Sequence, residues 1–224
     1  IVKGEKYQDN YTLKIVKERT LNSTRGRILD RNGEVLAYNE LAYSITIEDN
    51  GSYDSTKERD RLLNAELAQI IEALEKNGDS IVNNFKITLD ENDNYSFTVS
   101  GTALKRFLAD AFGQSSYSDL KYDKTLGFNQ AEATAEQVMQ YLKTSRFRIS
   151  SDYEEAMAYK IAVLRYAMSE NSYQKYISTT IAADVSEESV AYVSENASSL
   201  QGVEVIDDTI RKYDYPEYFA SILG

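Results

Sequence analysis

Residues 25–40 read RGRILDRNGEVLAYNE, a stretch that combines several charged residues, a tight turn and a short apolar run. Asn32 and Gly33 supply the positive φ that hairpin turns need, so Asp30–Gly33 is predicted to be a turn. Glu34–Ala37 then leaves the turn as a short strand. The stretch therefore predicts a hairpin near the beginning of the fold.

The charges of this hairpin leave two interpretations open. Arg25 and Arg31, with Asp30 between them, could form a buried charge network, because arginine makes bidentate pairs with carboxylates. A role of such buried pairs in specifying an interface or a strand register is better supported than a role in stabilising a fold. The alternative is an exposed hairpin whose charges are solvated. The spacing alone favours neither interpretation.

The segments that follow, as far as residue 170, are predicted from alternating and helical hydrophobic patterns and from capping residues. Most of this middle part is predicted to be helical. The predicted elements are a strand at Leu41–Glu48, a helix capped by Ser55 and Glu58 that ends near Gly78, a hairpin at Phe85–Ser100, a helix near Ala103–Ala111, a helix capped by Thr134 and Gln137, and a helix capped by Ser151 and Glu154 that runs to about Met168.

The last part of the chain predicts a strand, a helix and a second strand. STTIAADV alternates, a helical stripe capped by Ser186 extends to about Leu200, and Gly202 introduces VEVID. Such a unit, far in sequence from the first strand, predicts that both chain ends share one small mixed sheet. The expected fold is α+β, elongated and two-lobed. Residues 1–52 and 171–224 are expected to form one lobe, and residues 53–170 an inserted, mostly helical lobe that contains a β-hairpin.

Composition excludes several classes of function. The chain has 224 residues, a formal net charge of −11 and a pI of about 4.7, so it repels phosphate backbones and no nucleic-acid partner is expected. It contains no Cys and no His, which removes cysteine nucleophiles, Ser-His-Asp triads and histidine-rich zinc sites. No metal, cofactor or catalytic residue is predicted. No apolar run reaches the length of a membrane span.

Three further patterns are better explained without chemistry. Asp90–Asn94 starts like a calcium loop, but Tyr95 and Gly101 stand where the loop needs Gly and Glu, so a hairpin turn is predicted. Ser-x-x-Lys occurs at Ser118 and Ser172, and Ser-x-Asn at Ser169 and Ser194, but no Lys-Thr-Gly follows, which favours chance. The 18 tyrosines are scattered, which favours packing over a sugar-binding platform.

The opening motif resembles the N-terminal, non-catalytic module of class B penicillin-binding proteins. In that module an Arg-Gly, a short spacer, Asp-Arg-Asn-Gly and a Leu-Ala-x-Asn run open the domain, as RGRILDRNGEVLAYN does here. IAADVSEESVAYVSENASSLQGVEVIDDTIRKYDYP is similar to the closing segment of that module, and Pro216 and the final Ile222–Gly224 continue the likeness. The sequence departs from many members in RKYDYP, where Pro does not directly follow the first Tyr.

The resemblance implies a structural or interface role, and no catalytic one, for the residues of both motifs. These residues are Arg25, Gly26, Asp30, Arg31, Asn32, Gly33, Arg211 and Tyr213.

The resemblance implies that the lobe built from both chain ends is a pedestal and that the inserted lobe is a head. It also implies a longer protein at the extracytoplasmic face of a bacterial plasma membrane. The sequence starts with Ile rather than Met. We expect one membrane helix before Ile1, as the sole membrane contact, and a D,D-transpeptidase domain after Gly224. The implied partners are that transpeptidase domain, a membrane glycan polymerase and other proteins of peptidoglycan synthesis during growth or division.

Two other functions compete with this one. A small Ser-Lys acyl transferase would use Ser118 or Ser172. A free-standing binder of cell-wall glycan or peptide would use the tyrosines. Neither alternative explains the opening motif.

Overall fold

A computed structural model describes residues 25–170 and 178–214. Two compact units make up the chain: Ile1–Asn39 with Arg211–Gly224, and Glu40–Ile210. The predicted division into a pedestal and a head at other boundaries stays a prediction. Ser172, its partner Lys175 and Pro216 lie outside the described residues, as do the final residues 222–224.

The described residues form short strands and longer helices, as expected of an α+β chain. The strands are β1 (Ile28–Leu29), β2 (Val35–Ile47), β3 (Ile87–Leu89), β4 (Tyr95–Phe97), β5 (Tyr122–Asp123), β6 (Phe128–Asn129), β7 (Thr179–Ala182) and β8 (Val203–Tyr213). The helices are α1 (Thr56–Lys76), α2 (Gly101–Ala111), α3 (Ala135–Tyr141), α4 (Glu155–Glu170) and α5 (Glu187–Glu195), with a π-helical turn at Leu142–Arg146 and short 3₁₀ turns at Tyr117–Asp119 and Gln130–Glu132.

Strand β2 is the centre of a four-stranded sheet, in which β1, β7 and β8 each pair with it. The pairs with β1 and β7 are antiparallel. The Glu48 N–H donates to the Gly202 carbonyl at 2.8 Å, and the Ser44 hydroxyl donates to Asp208 at 2.9 Å, so β8 also runs antiparallel to β2. Strands β7 and β8 are therefore parallel to each other, with α5 between them in sequence. Among the described strands, the expected sheet formed from both ends of the chain is present.

The strand predicted at Leu41–Glu48 is longer in the structure, where β2 begins at Val35 and ends at Ile47. The short strand that leaves the turn runs directly into it, because no Gly or Pro interrupts residues 35–47. The Phe85–Ser100 hairpin is confirmed. Asp90 accepts hydrogen bonds from the N–H groups of Asn92 and Asn94 at 2.8 and 2.9 Å, so its carboxylate stabilises a turn.

Three of the four capping predictions hold, and among them Ser186 accepts from the Ser189 N–H at 3.3 Å. Ser55 accepts from the Glu58 N–H at 3.2 Å, and Thr134 and Gln137 form both halves of a capping box. The Ser151 cap is wrong, because α4 begins only at Glu155. Ser150 instead accepts from the Asp152 N–H at 3.2 Å, a local bond that favours a turn over a helix start. Helix α5 also ends at Glu195, before the expected Leu200.

In the unit formed by Glu40–Ile210, α1 packs on α4, and aromatic rings fill the space beside them. The ring centroids of Phe85 and Phe107 lie 5.5 Å apart, and those of Phe107 and Tyr166 lie 5.6 Å apart. Tyr159 is buried and donates its hydroxyl to the Ile87 carbonyl at 2.8 Å. These tyrosines serve packing, as their scattered positions predicted.

Candidate functional site

The turn of the opening motif is held by its own first residue. The Asp30 carboxylate accepts from the N–H groups of Asn32 and Glu34, both at 2.8 Å, and from the Asn32 side chain at 3.1 Å. Gly33 has a φ of 90° and donates to the Asp30 carbonyl at 3.1 Å. The hydrogen bond from the Glu34 N–H is the main reason that the pKa of Asp30 lies below its ordinary value. The motif therefore builds a self-contained turn.

Of the two interpretations of the hairpin charges, the structure agrees with an exposed hairpin and not with a buried charge network. Arg25 and Arg31 are both exposed, and the Asp30 carboxylate is occupied by backbone and asparagine donors. The physical reason is proximity, since N–H groups within four residues reach the carboxylate without ordering a long side chain.

A second group of contacts joins the opening motif to the closing one. Arg211 Nη1 donates to the Gly26 carbonyl at 2.7 Å and to Asn39 Oδ1 at 3.0 Å. Asn39 Nδ2 donates to the Arg25 carbonyl at 2.9 Å. We call this group, formed by Arg25, Gly26, Asn39 and Arg211, the clasp. It satisfies two carbonyl groups of the irregular segment before β1, which has no strand partner there.

The predicted motif residues thus fall into three places. Arg25, Gly26 and Arg211 meet in the clasp, although Gly26 and Arg211 are 185 residues apart in sequence. Asp30, Arg31, Asn32 and Gly33 form the turn instead. Tyr213 lies in β8 and is partly buried. The structural or interface role of these residues stays a prediction.

Sequence reasoning missed Asn39 as a member of this site. Its side chain uses both its amide N–H and its carbonyl oxygen, once as donor to Arg25 and once as acceptor from Arg211. The signal was present, because Asn39 ends the Leu-Ala-x-Asn run of the motif. Without a structure, nothing distinguished it from a polar residue on the exposed side of a strand.

Replacing Asn39 by Ala is expected to lower the free energy of unfolding by about 1 kcal/mol, because it removes two partly exposed hydrogen bonds, one of them from a charged donor. Urea denaturation of both proteins measures this. Asn84, which is exposed and has no side-chain hydrogen bond among the described residues, gives the matched control Asn84→Ala. Equal changes in the two variants would contradict the clasp.

The Glu40–Ile210 unit contains a buried charge cluster that the sequence did not reveal. The Asp60 carboxylate lies 2.6 Å from Arg165 Nη2 and 2.5 Å from Arg148 Nη1. The Arg165 side chain is 4% exposed and that of Asp60 2%. Asn64 accepts from Arg165 at 2.6 Å and donates to the Phe147 carbonyl at 2.9 Å. Burial lowers the pKa of Arg165, and Asp60 opposes that shift. The cluster joins α1, α4 and the segment before α4.

The carboxyl group of Glu66, whose pKa is raised, lies near the Gly202 turn. Burial raises the pKa of Glu66 from its ordinary value of 4.5 to about 7, helped by the nearby Asp49 and opposed by a hydrogen bond from the Gln201 backbone. Its Oε1 atom is buried and has no hydrogen-bond partner among the described residues. A folded state that holds this proton more tightly than the unfolded chain loses stability as the carboxyl group ionises.

Glu66 predicts a pH dependence. The contribution of Glu66 to the free energy of unfolding is fully present below pH 4.5 and is lost as the pH rises through about 7. The loss is about 2 kcal/mol after allowance for partial exposure. As the pH rises from 5 to 8, the free energy of unfolding of Glu66→Gln should therefore rise by about that much relative to that of the parent. Urea denaturation at both values measures it, with Glu72→Gln, an exposed residue of the same helix, as control. The same Glu66→Gln difference at both pH values would contradict the assignment.

The candidate nucleophile Ser118 and the two Ser-x-Asn serines have structural partners, whereas the candidate nucleophile Ser172 lies outside the described residues. The Ser118 and Ser116 hydroxyl groups bond to each other. Ser169 donates to the Tyr166 carbonyl at 2.7 Å, and Ser194 donates to the Val190 carbonyl at 2.8 Å. Among residues 25–170 and 178–214, no group of three or more acidic side chains is placed to hold a metal ion. Within the same residues no helix has the length and apolar character that crossing a bilayer requires.

Comparison with known families decides the class of this chain. Residues 20–224 match the family described as the penicillin-binding protein dimerisation domain. The chain belongs to this family. The dimerisation domain is a non-catalytic module of penicillin-binding proteins, which confirms the resemblance, the α+β fold class and the expectation that this segment is not itself the enzyme.

Two solved structures are similar to this dimerisation domain. Penicillin-binding protein 2B of Streptococcus pneumoniae strain 5204 is 20% identical with a TM-score of 0.43, and the match covers 90% of this chain and 27% of that one. The same protein from strain R6 is 16% identical with a TM-score of 0.38 and the same coverage, 90% and 27%. The chain thus spans about a quarter of the length of these structures. No curated protein matches it.

Proposed function

We propose that this dimerisation domain is the pedestal of a class B penicillin-binding protein on the extracytoplasmic face of a bacterial plasma membrane. In this role it positions a serine transpeptidase domain and docks a membrane glycan polymerase and other proteins of peptidoglycan synthesis. The observation that carries the proposal is the clasp. The clasp ties Gly26 to Arg211, so the segments that enter and leave the domain are held together.

The clasp suits a positioning role for a physical reason. An anchor before the clasp and a transpeptidase after it would be connected through one small group of hydrogen bonds rather than through the whole length of the chain. Loss of the clasp would then loosen the transpeptidase relative to its anchor while the core of the Glu40–Ile210 unit stays intact. The charge of −11 disfavours anionic wall polymers as partners and favours proteins with basic or apolar surfaces.

The first test is to read the gene on both sides of this segment. We expect an apolar helix of about 20 residues upstream. Downstream we expect a domain with Ser-x-x-Lys, Ser-x-Asn and Lys-Thr-Gly in that order. A start codon at Ile1 with a stop codon after Gly224 would refute the pedestal.

The second test uses the full-length protein with Asn39→Ala. Labelling by a fluorescent penicillin should persist, because the nucleophile is elsewhere, while less glycan polymerase should co-purify from membranes than with Asn84→Ala. Equal co-purification by the two variants would refute the positioning role. A β-lactam mass adduct on the 224-residue chain alone would instead support the Ser-Lys acyl transferase.

A further inference from the structure

A cavity of about 450 Å³ opens beside the first half of α1. Helix α1 forms one wall, and residues before α4 form the other. The lining includes Ser55, Lys57, Arg61, Arg148, Ser150 and Tyr153. The volume is within the range of sites that bind ligands the size of a short peptide or a drug.

The charge of this cavity is opposite to that of the chain. The lining contains three cationic side chains, Lys57, Arg61 and Arg148, and one carboxylate, Glu58, in a protein whose net charge is −11. Glu58 already accepts from the Asp54 N–H at 2.9 Å as part of the helix start. Lys57 and Arg61 are exposed, and their side chains have neither an ion pair nor a hydrogen bond among the described residues. The cavity therefore has cationic groups available for an anion.

Arg148 holds its place in the wall through an unusual backbone. Its φ is 48°, in the left-handed region that non-glycine residues seldom adopt. The Phe147 and Arg148 carbonyls accept from the buried Asn64 side chain at 2.9 and 3.2 Å, and the Ile149 N–H donates to the Lys143 carbonyl at 2.8 Å. The π-helical turn Leu142–Arg146 precedes this segment, and such turns are frequent at functional sites. Several contacts thus maintain a strained conformation that presents Arg148.

The buried cluster contains one carboxylate, Asp60, but two arginines pair with it, so the charge of Arg148 is not needed to balance that carboxylate. Asp60 is already paired with the buried Arg165, and Arg148 contacts the other Asp60 oxygen through Nη1. The Arg148 side chain is 46% exposed, and its guanidinium makes no other hydrogen bond or ion pair among the described residues. A guanidinium has five N–H donors in a planar fork that suits a carboxylate.

We propose that this cavity binds an acidic peptide segment of a partner protein, with its carboxylates on Lys57, Arg61 and Arg148. The hydroxyl groups of Ser55 and Ser150 and the ring of Tyr153 give the remaining lining uncharged surfaces for the rest of a peptide. That mixture, and a volume well above that of one small ion, favour a peptide over an inorganic anion. A long polyanion would be repelled by the acidic remainder of the chain. The site would act equally in a free-standing protein, so it does not depend on the pedestal.

The test is fluorescence anisotropy with the 224-residue chain and a short fluorescein-labelled peptide of alternating glutamate and alanine. We expect binding that weakens as salt is raised from about 0.05 to 0.5 M. The double variant Lys57→Gln with Arg61→Gln should weaken binding by about tenfold or more, because two charge-assisted contacts are lost. The control Arg106→Gln with Lys124→Gln removes the same charge from exposed residues elsewhere and should bind as the parent does.

Two further arms identify the ligand. The glutamine counterpart of the peptide should not bind, and inorganic phosphate should compete only weakly. No binding of the glutamate peptide to the parent, or equal loss in the two double variants, would overturn the site. Phosphate that binds as tightly as the peptide would overturn the assignment to a peptide. Unchanged near-ultraviolet circular dichroism in both variants shows that the charge change, and not unfolding, is measured.

Discussion

Asp60→Asn is expected to lower the free energy of unfolding by about 3–5 kcal/mol, because it leaves a buried guanidinium without its counter-charge. Arg165 is 4% exposed and its Nη2 lies 2.6 Å from the Asp60 carboxylate. Asn64 cannot replace that carboxylate, since it is neutral and already accepts from Arg165 Nη1 at 2.6 Å. Arg148 would lose its ion pair in the same variant. An asparagine of nearly the same shape therefore isolates the effect of the charge.

Urea denaturation at neutral pH measures this effect, with Glu91→Gln at the exposed hairpin tip as control for a neutralised carboxylate. The double variant Asp60→Asn with Arg165→Met removes both buried charges. It should be less destabilised than the sum of the two single variants, because neither charge is then left alone. Additive single and double variants would show that the pair is not coupled. If Asp60→Asn changes the free energy of unfolding no more than Glu91→Gln does, water reaches the Arg165 guanidinium and the charge is not truly buried.

Gly202→Ala is expected to lower the free energy of unfolding by about 3 kcal/mol, through a strained backbone and a collision together. Gly202 has a φ of 80°, and a Cβ atom there would lie 2.1 Å from the Glu48 carbonyl oxygen and 3.1 Å from Asn50 Oδ1. The Glu48 oxygen belongs to the backbone, so it cannot rotate away as a side chain would. The Glu48 N–H also donates to the Gly202 carbonyl at 2.8 Å, which ties the two segments together.

A second glycine separates the two causes. Gly78, after α1, has a φ of 83°, but no atom lies within 4 Å of its would-be Cβ. Gly78→Ala should therefore show the backbone cost alone, about 1 kcal/mol. The difference between the two alanine variants in urea denaturation measures the collision with Glu48. Equal losses in both variants would mean that the contact of Gly202 with Glu48 adapts and that only the backbone conformation matters.

Predictions from sequence succeeded where the deciding contacts are local. The Asn-Gly turn, the Asp90–Asn94 hairpin tip and the Thr134 cap each depend on atoms within four residues of one another. The Ser151 cap failed although its pattern was equally good. Its neighbour Ser150 forms hydrogen bonds with Asp152 and stabilises a turn. The sequence pattern does not indicate whether this turn or the Ser151 helix cap forms.

Family membership was also readable from the sequence, because the opening motif has several fixed positions in one short window. The roles of its residues were less readable. Arg25 suggested a charge network, yet its contribution to the clasp is a backbone carbonyl that accepts from Asn39. A backbone contribution leaves no trace in residue type, so neither the role of Arg25 nor that of Asn39 followed from the pattern.

The sequence by itself determined the α+β class, the turns, most helix starts and the exclusion of thiol and imidazole chemistry. Only the tertiary structure decided the clasp, the Asp60–Arg165–Arg148 cluster and the contact of Gly202 with Glu48. Their partners are 185 residues apart for Gly26 and Arg211, and 105 and 88 for Asp60 with Arg165 and Arg148. Local patterns report interactions within a turn of helix or a hairpin. Charges and glycines far apart in sequence acquire their roles only when the folded chain places them in contact.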